Sequence, residues 1–129
     1  MRGYLAMTAV EVEEFLKTRT FDVSDIYAPT AAFLAHNSDL DEEEIEYTLT
    51  MVAAEDALDM RTQTSGAPIV LAFELPTAII SESFDMSVSL AAPLSWEQLE
   101  CAFEVSADGE ELTWFATQEI AQQISSWFV

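Results

Sequence analysis

Little in this chain of 129 residues is suited to holding a metal, a phosphate or a nucleic acid. It has one cysteine, Cys101, and one histidine, His36. A single thiol excludes an internal disulfide, and a reducing cytoplasm is the natural setting for such a chain. Zinc sites draw on several Cys and His ligands, which are not available here. The three glycines, Gly3, Gly66 and Gly109, are too far apart to form a phosphate-cradling loop. Basic residues are limited to Arg2, Lys17, Arg19 and Arg61, so no basic patch for nucleic acid can be assembled. No stretch approaches the ~20 apolar residues of a membrane span. The N-terminal region has one arginine and no apolar run of signal-peptide length, so secretion is not expected. No repeat, linker or low-complexity tract is seen.

What is abundant is acid and apolar surface. The 24 Asp and Glu residues give a formal charge of −20, yet half of all residues are hydrophobic. That apolar content places the chain among folded proteins rather than disordered ones. Its length suits one domain, residues 1–129, that buries roughly two thirds of the unfolded surface. The charge repels nucleic acid and anionic membranes and attracts basic partners. Solubility alone is the bland account of it, and adaptation to salt is another.

Arg2 to Met7 reads as a strand. Thr8-Ala-Val-Glu11 is a capping box that opens a helix to about Thr18, with Val12, Phe15 and Leu16 inward. Val23, Ile26 and Tyr27 favour a short strand closed by Pro29. Thr30 to His36 can make one or two helical turns burying Phe33 and Leu34. Then comes Asp39-Leu-Asp-Glu-Glu-Glu-Ile-Glu-Tyr47, with six carboxylates in eight residues. Asp39 or Asp41 caps a helix that reaches about Met60, and acids in its first turn complement the helix dipole. Two apolar stripes follow, Tyr47-Met51-Ala54-Leu58 and Ile45-Leu49-Val52. They suggest packing on two sides, or a partner or homodimer contact on the second stripe.

Pro68 opens a strand in which Ile69, Leu71, Phe73 and Leu75 alternate with Val70, Ala72 and Glu74, and Pro76 ends it. Ser83 to Leu90 alternates so regularly that it predicts one strand, with Phe84, Met86, Val88 and Leu90 on one face. Ser95-Trp-Glu-Gln98 is a capping box for a helical turn. In the next strand Cys101, Phe103 and Val105 point inward and Glu100, Ala102 and Glu104 outward. Asp108-Gly-Glu-Glu111 resembles a further capping box, predicting a last helix lined by Leu112, Ala116, Ile120, Ile124 and Trp127. Strands polar on one face imply an α+β fold of two layers: a mixed, mainly antiparallel sheet of four to five strands with helices on one face.

Catalytic and metal chemistry finds little support. Cys101 on an inward strand face is a buried structural thiol, and His36 at a helix end serves the last carbonyls. Asp39, Asp41 and Glu43 alternate like the start of a calcium loop. However, Glu44 stands where glycine is needed and Thr50 where the bidentate glutamate is needed. Among 24 acids, pairs for acid–base work are too common to be informative. No cofactor or metal is expected.

Three segments carry a family resemblance: Met1-Arg-Gly-Tyr-Leu-Ala6; Asp41-Glu-Glu-Glu-Ile-Glu-Tyr47 with Ala53-Ala54 and Leu58; and the Ile69 to Pro76 strand ending Glu-Leu-Pro. The chain resembles a small, uncharacterised actinobacterial domain family of about this length, with no assigned activity. The resemblance implies a bacterial cytosolic protein without catalytic residues to carry over. Members of that family are rich in alanine and arginine. This chain has few arginines, and its expected C-terminal helix, with Trp114, Trp127 and Phe128, is longer and more aromatic.

The expectation is a non-enzymatic, cytoplasmic interaction protein that engages a basic protein, with an inhibitor or nucleic-acid mimic as its sharpest form. It would not touch nucleic acid or membrane directly. The candidate contact residues are Asp39, Asp41, Glu42, Glu43, Glu44 and Glu46 at the helix start. To these are added Glu74, Asp85, Glu100 and Glu104 on the outer sheet face, and Trp114 turned away from the last helix's apolar side. The alternatives are a small enzyme with a carboxylate-lined pocket and an assembly or stability subunit.

Overall fold

Pro68-Ile-Val-Leu-Ala-Phe-Glu74 has no polar residue until its last position. A strand apolar on both faces belongs between two layers. The computed structural model describes residues 1–128 and shows this arrangement. Val129, part of the C-terminal aromatic end, lies outside the described residues.

The strands are β1 (Arg2–Thr8), β2 (Thr20–Phe21), β3 (Asp25–Tyr27), β4 (Pro68–Glu74), β5 (Ile80–Ser83), β6 (Ser87–Leu90), β7 (Leu94–Ser95), β8 (Leu99–Val105) and β9 (Leu112–Ala116). Seven of them form one sheet in the order β5-β6-β3-β1-β4-β8-β9, and β2 pairs with β7 beside it. Every described pairing is antiparallel. The α+β class and the antiparallel sheet stand, but the main sheet has seven strands rather than four to five.

The helices are α1 (Ala9–Thr18), α2 (Ala31–His36), α3 (Glu42–Met60) and α4 (Ile120–Gln123), the last running on as a tight turn through Ile124–Phe128. At α1, Glu11 reaches back to accept from the Thr8 amide at 3.1 Å. At the other end the chain leaves through Arg19, with φ of 68°. One core joins Val12 and Phe15 of α1 and Ile120, Ile124 and Trp127 of the C-terminal segment to Ile69, Leu71 and Phe73 of β4. A second joins Leu49, Ala53 and Ala54 of α3 and Phe33 of α2 to Val70 and Ala72 of the same strand. Helices therefore cover both faces, which corrects the two-layer arrangement with helices on one face. The physical reason is that Val70 and Ala72, which alternate with Leu71 and Phe73, and Ala102, which was expected to point outward, are themselves apolar, and all three are fully buried. Each large side chain buried this way contributes about 1.5–3 kcal/mol.

Two hairpins account for the extra strands. The regular alternation from Ser83 to Leu90 is broken by a reversal, so it is not one strand. The Phe84 amide donates to the Ser87 carbonyl at 2.8 Å, and the Thr30 hydroxyl donates to the Asp85 carbonyl at 2.8 Å. Likewise Leu112 to Ala116 is a strand and not the start of the last helix. Gly109 sits at φ of +77°, and the Asp108 carboxylate accepts from the Glu110 amide at 3.0 Å and the Ser106 hydroxyl at 2.6 Å. An Asp-Gly turn followed by Thr113, Trp114 and Phe115 favours a hairpin over the capping pattern.

The register between β4 and β8 shifts where Ala72 opposes Cys101 but Phe73 opposes Leu99, leaving Glu100 as the extra residue. This bulge turns Leu99 toward the α1 core and Cys101 toward the α3 core. Helix α3 buries a single stripe, Leu49, Ala53, Ala54 and Ala57 with Thr50, in place of the expected two stripes. Tyr47 and Leu34, both placed in apolar faces by the sequence, are exposed.

The small residues of α3 let its backbone lie close on Val70 and Ala72. Ala53→Leu should therefore cost about 1–3 kcal/mol by overpacking, read as a lowered urea midpoint. An unchanged midpoint would contradict the tight fit of α3 on β4.

Candidate interaction surface

The acids at the start of α3 divide by use. Asp41 is the N-cap: its carboxylate accepts from the Glu44 amide at 2.9 Å, and the Glu44 carboxylate accepts from the Asp41 amide at 3.1 Å. These two satisfy helix-end donors. Glu42 and Glu43 are exposed in the first turn, and Asp39 is exposed in the preceding loop. Glu46 is half-buried and bears on the sheet, where it raises the pKa of both Arg2 and Tyr4.

Strand β1 supplies what Glu46 meets. The Arg2 guanidinium pairs with Glu100 at 3.3 Å and donates to the Cys101 sulfur at 3.5 Å. Burial works against the Arg2 charge, but Cys101, Tyr4, Glu100 and Glu46 together hold its pKa above the ordinary arginine value. Burial raises the Cys101 pKa, against the pull of Arg2 and Trp114. Tyr4 is 2% exposed and its hydroxyl has no hydrogen-bond partner among the described residues. Desolvation, followed by Glu46, pushes its pKa up to about 12. Glu74 lies 3.3 Å from the N-terminal amine. A cleft of about 570 Å³ opens here between Arg2, Tyr4, Ile45, Glu46, Leu49 and Glu74.

Beside this cleft the surface becomes aromatic. A smaller hollow of about 200 Å³ is lined by Tyr47, Thr50, Phe103 and Leu112 together with Glu43 and Glu46. Trp114 stands opposite Phe103 on β9. Tyr47 is 62% and Trp114 57% exposed. Glu42, Glu43, Glu46, Glu74 and Glu100 thus gather on the α3 side of the sheet, with Trp114 at its border.

The remaining candidates lie elsewhere. Asp85 sits in the β5–β6 turn, at the opposite end of the strand order, where it pairs with His36 at 2.9 Å. Glu104 shares the α1 face with Ala102 and borders a hollow with Ser126 and Trp127. The four sheet acids form no common row, because Glu74 and Glu100 lie on the α3 side, Glu104 on the α1 face and Asp85 in a distant turn.

A further cleft, of about 630 Å³, contains Tyr27, Asp56, Met60 and Phe84. The Tyr27 hydroxyl donates to the Asp56 carboxylate. Burial and that bond raise the Tyr27 pKa to about 12. Among the described residues no group of three or more His, Cys, Asp or Glu is placed to hold a metal ion, and no helix is long and apolar enough to cross a membrane. The sequence reading missed Arg2, Tyr4 and the Tyr27–Asp56 pair. Tyr4 and Tyr27 were visible as phenols within strand segments, but nothing local marks their partners.

The geometry defines an antiparallel α+β protein, helix-covered on both faces, with an acid-rimmed aromatic strip along one sheet edge. The chain belongs to DUF6912, a family of unknown function, which matches residues 1–108. Comparison with curated proteins and with solved structures found no match. The family match ends at Asp108, in the turn that leads into β9, so Trp114 and the C-terminal turns lie beyond it.

The buried Tyr4 and the half-buried Tyr27 separate experimentally. Tyr4→Phe removes a hydroxyl without a partner and should leave stability unchanged or raise it by up to about 1 kcal/mol, whereas Tyr27→Phe should lower it by about 1–2 kcal/mol. Equal effects in urea titrations would contradict these assignments. Both folded-state pKa values lie above that of free tyrosine. The associated stability is therefore complete below pH 10 and is lost as pH rises to about 12. A urea midpoint that falls over this interval, and falls less in the double Phe variant, is the expected result.

Proposed function

We propose that this chain is a non-catalytic interaction protein that engages a basic protein through the acid-rimmed aromatic strip between α3 and β9. The observation that carries this is the exposure of Tyr47, which shares a hollow with Glu43, Glu46 and Phe103, and of Trp114, which stands opposite that Phe103. Exposed aromatics at a border of uncompensated charge suit a contact in which the ring supplies buried area and the acids supply steering. Asp41 and Glu44 are occupied by the helix start, so Glu42, Glu43 and Glu46 are the acids to vary. A nucleic-acid-binding protein is one class of basic partner, and for it the chain acts as an inhibitor or mimic. The free, buried thiol of Cys101 suits a reducing compartment such as the cytoplasm.

The test is capture from a cell lysate at low and high salt, with the wild-type chain and with Glu42, Glu43 and Glu46 all changed to Gln. Basic proteins should be retained at low salt, released at high salt and retained poorly by the triple variant. If no basic protein is recovered at low salt, the proposal fails. A mimic further requires that duplex DNA compete with the captured protein.

A further inference from the structure

We infer that β9 is a docking edge, on which an extended basic segment of a partner protein adds as an eighth strand. This rests on the proposed engagement of a basic protein and specifies how it occurs.

The sheet ends in β5 on one side and β9 on the other. Open edges template pairing with other chains, and proteins blunt them with bulges, lysine, proline or a covering element. Strand β5 is blunted: its register shifts between Ile80 and Glu82, and Glu82 lies within the strand. Strand β9 is not. Its pairing with β8 runs unbroken from Val105↔Leu112 to Cys101↔Ala116, and Leu112-Thr-Trp-Phe-Ala116 contains no lysine, proline or glycine.

The ladder shows which backbone groups face outward. The Ser106 amide donates to the Glu111 carbonyl at 2.9 Å. Antiparallel pairs alternate between bonded and non-bonded. Thr113 and Phe115 therefore bond to β8, while Leu112, Trp114 and Ala116 turn their N–H and C=O groups to the edge. The Ala116 amide already donates to the Glu119 carboxylate at 2.8 Å. Among the described residues Leu112 and Trp114 are left as the free pair, enough for a short added strand. Trp114 is exposed on this same strand, where its ring can flank side chains of an incoming segment.

Charge identifies the occupant. Asp108, Glu110 and Glu111 precede β9 and Glu119 follows it, and no Lys, Arg or His occurs from Thr62 to the end of the chain. A basic segment meets complementary charge at both ends of the strand. A second copy of this chain would bring another −20 and is repelled.

The test uses a synthetic peptide of alternating lysine and valine, titrated into the full chain at low salt. A second peptide of the same sequence is N-methylated at every other residue, on the edge that would pair. The first should bind and the second should not. Trp114→Ala should weaken binding about tenfold by losing the ring. Trp114→Pro, which also removes an outward N–H but no bond to β8, should weaken it by a further factor of about ten. If Trp114→Pro fails to fold by circular dichroism, the N-methylated peptide still decides. Equal binding of both peptides would overturn edge pairing and leave the basic-partner reading intact. No binding of either at low salt, alongside capture of basic proteins from lysate, would also reject the edge. A wild-type dimer in sedimentation that Trp114→Pro abolishes would overturn the basic occupant in favour of a second copy.

Discussion

A polar side chain on either face of β4 would be buried without water, because α1 and the C-terminal turns close over Ile69, Leu71 and Phe73 while α3 closes over Val70 and Ala72. The rest of the structure depends on this double burial. It fixes α3 with its alanines against the sheet, and so points Glu42 and Glu43 outward. It also allows one bulge, at Glu100, to decide which core receives Leu99 and which receives Cys101. With both faces of the central strands occupied, the edges of the sheet and the border between α3 and β9 remain open to a partner.

The charge is compatible with this fold because it stays peripheral. The acids that the structure uses locally are held at helix starts and turns: Glu11, Asp41 and Glu44, and Asp108. Asp108 shows the effect in its pKa, which the Ser106 hydroxyl and the Glu110 amide lower from the ordinary aspartate value. Among the described residues Arg2 is half-buried in an acidic setting and pairs with Glu100 across the sheet. The remaining negative charge is left for solvent or for a partner.

Much of the fold was legible because its signals are local. The Thr8–Glu11, Asp41–Glu44 and Ser95–Gln98 patterns mark the starts of α1, α3 and the turn at Trp96–Gln98, and β1, β4 and α3 fall within a residue or two of their expected ends. Helix α2 was also legible, down to the burial of Phe33, although Leu34 faces solvent. What misled was periodicity that survives a reversal: Ser83 to Leu90 alternates through the turn at Phe84–Met86. The second layer was signalled by Val70 and Ala72, apolar on the face of β4 opposite Leu71, but an alternation of large and small apolar residues resembles one of apolar and polar. The candidate surface was half legible. The α3 acids and Trp114 were marked by charge and by an unplaced aromatic ring. The Arg2–Glu100 pair, 98 residues apart in sequence, follows from strand order alone.

The most direct test of this account is amide hydrogen exchange on the free protein and again with a captured basic protein bound. The double burial predicts the slowest exchange in β4 and rapid exchange at Leu112 and Trp114 in the free state, with both edge amides slowing on binding. Protection of those two amides in the free protein, or rapid exchange across β4, would contradict it.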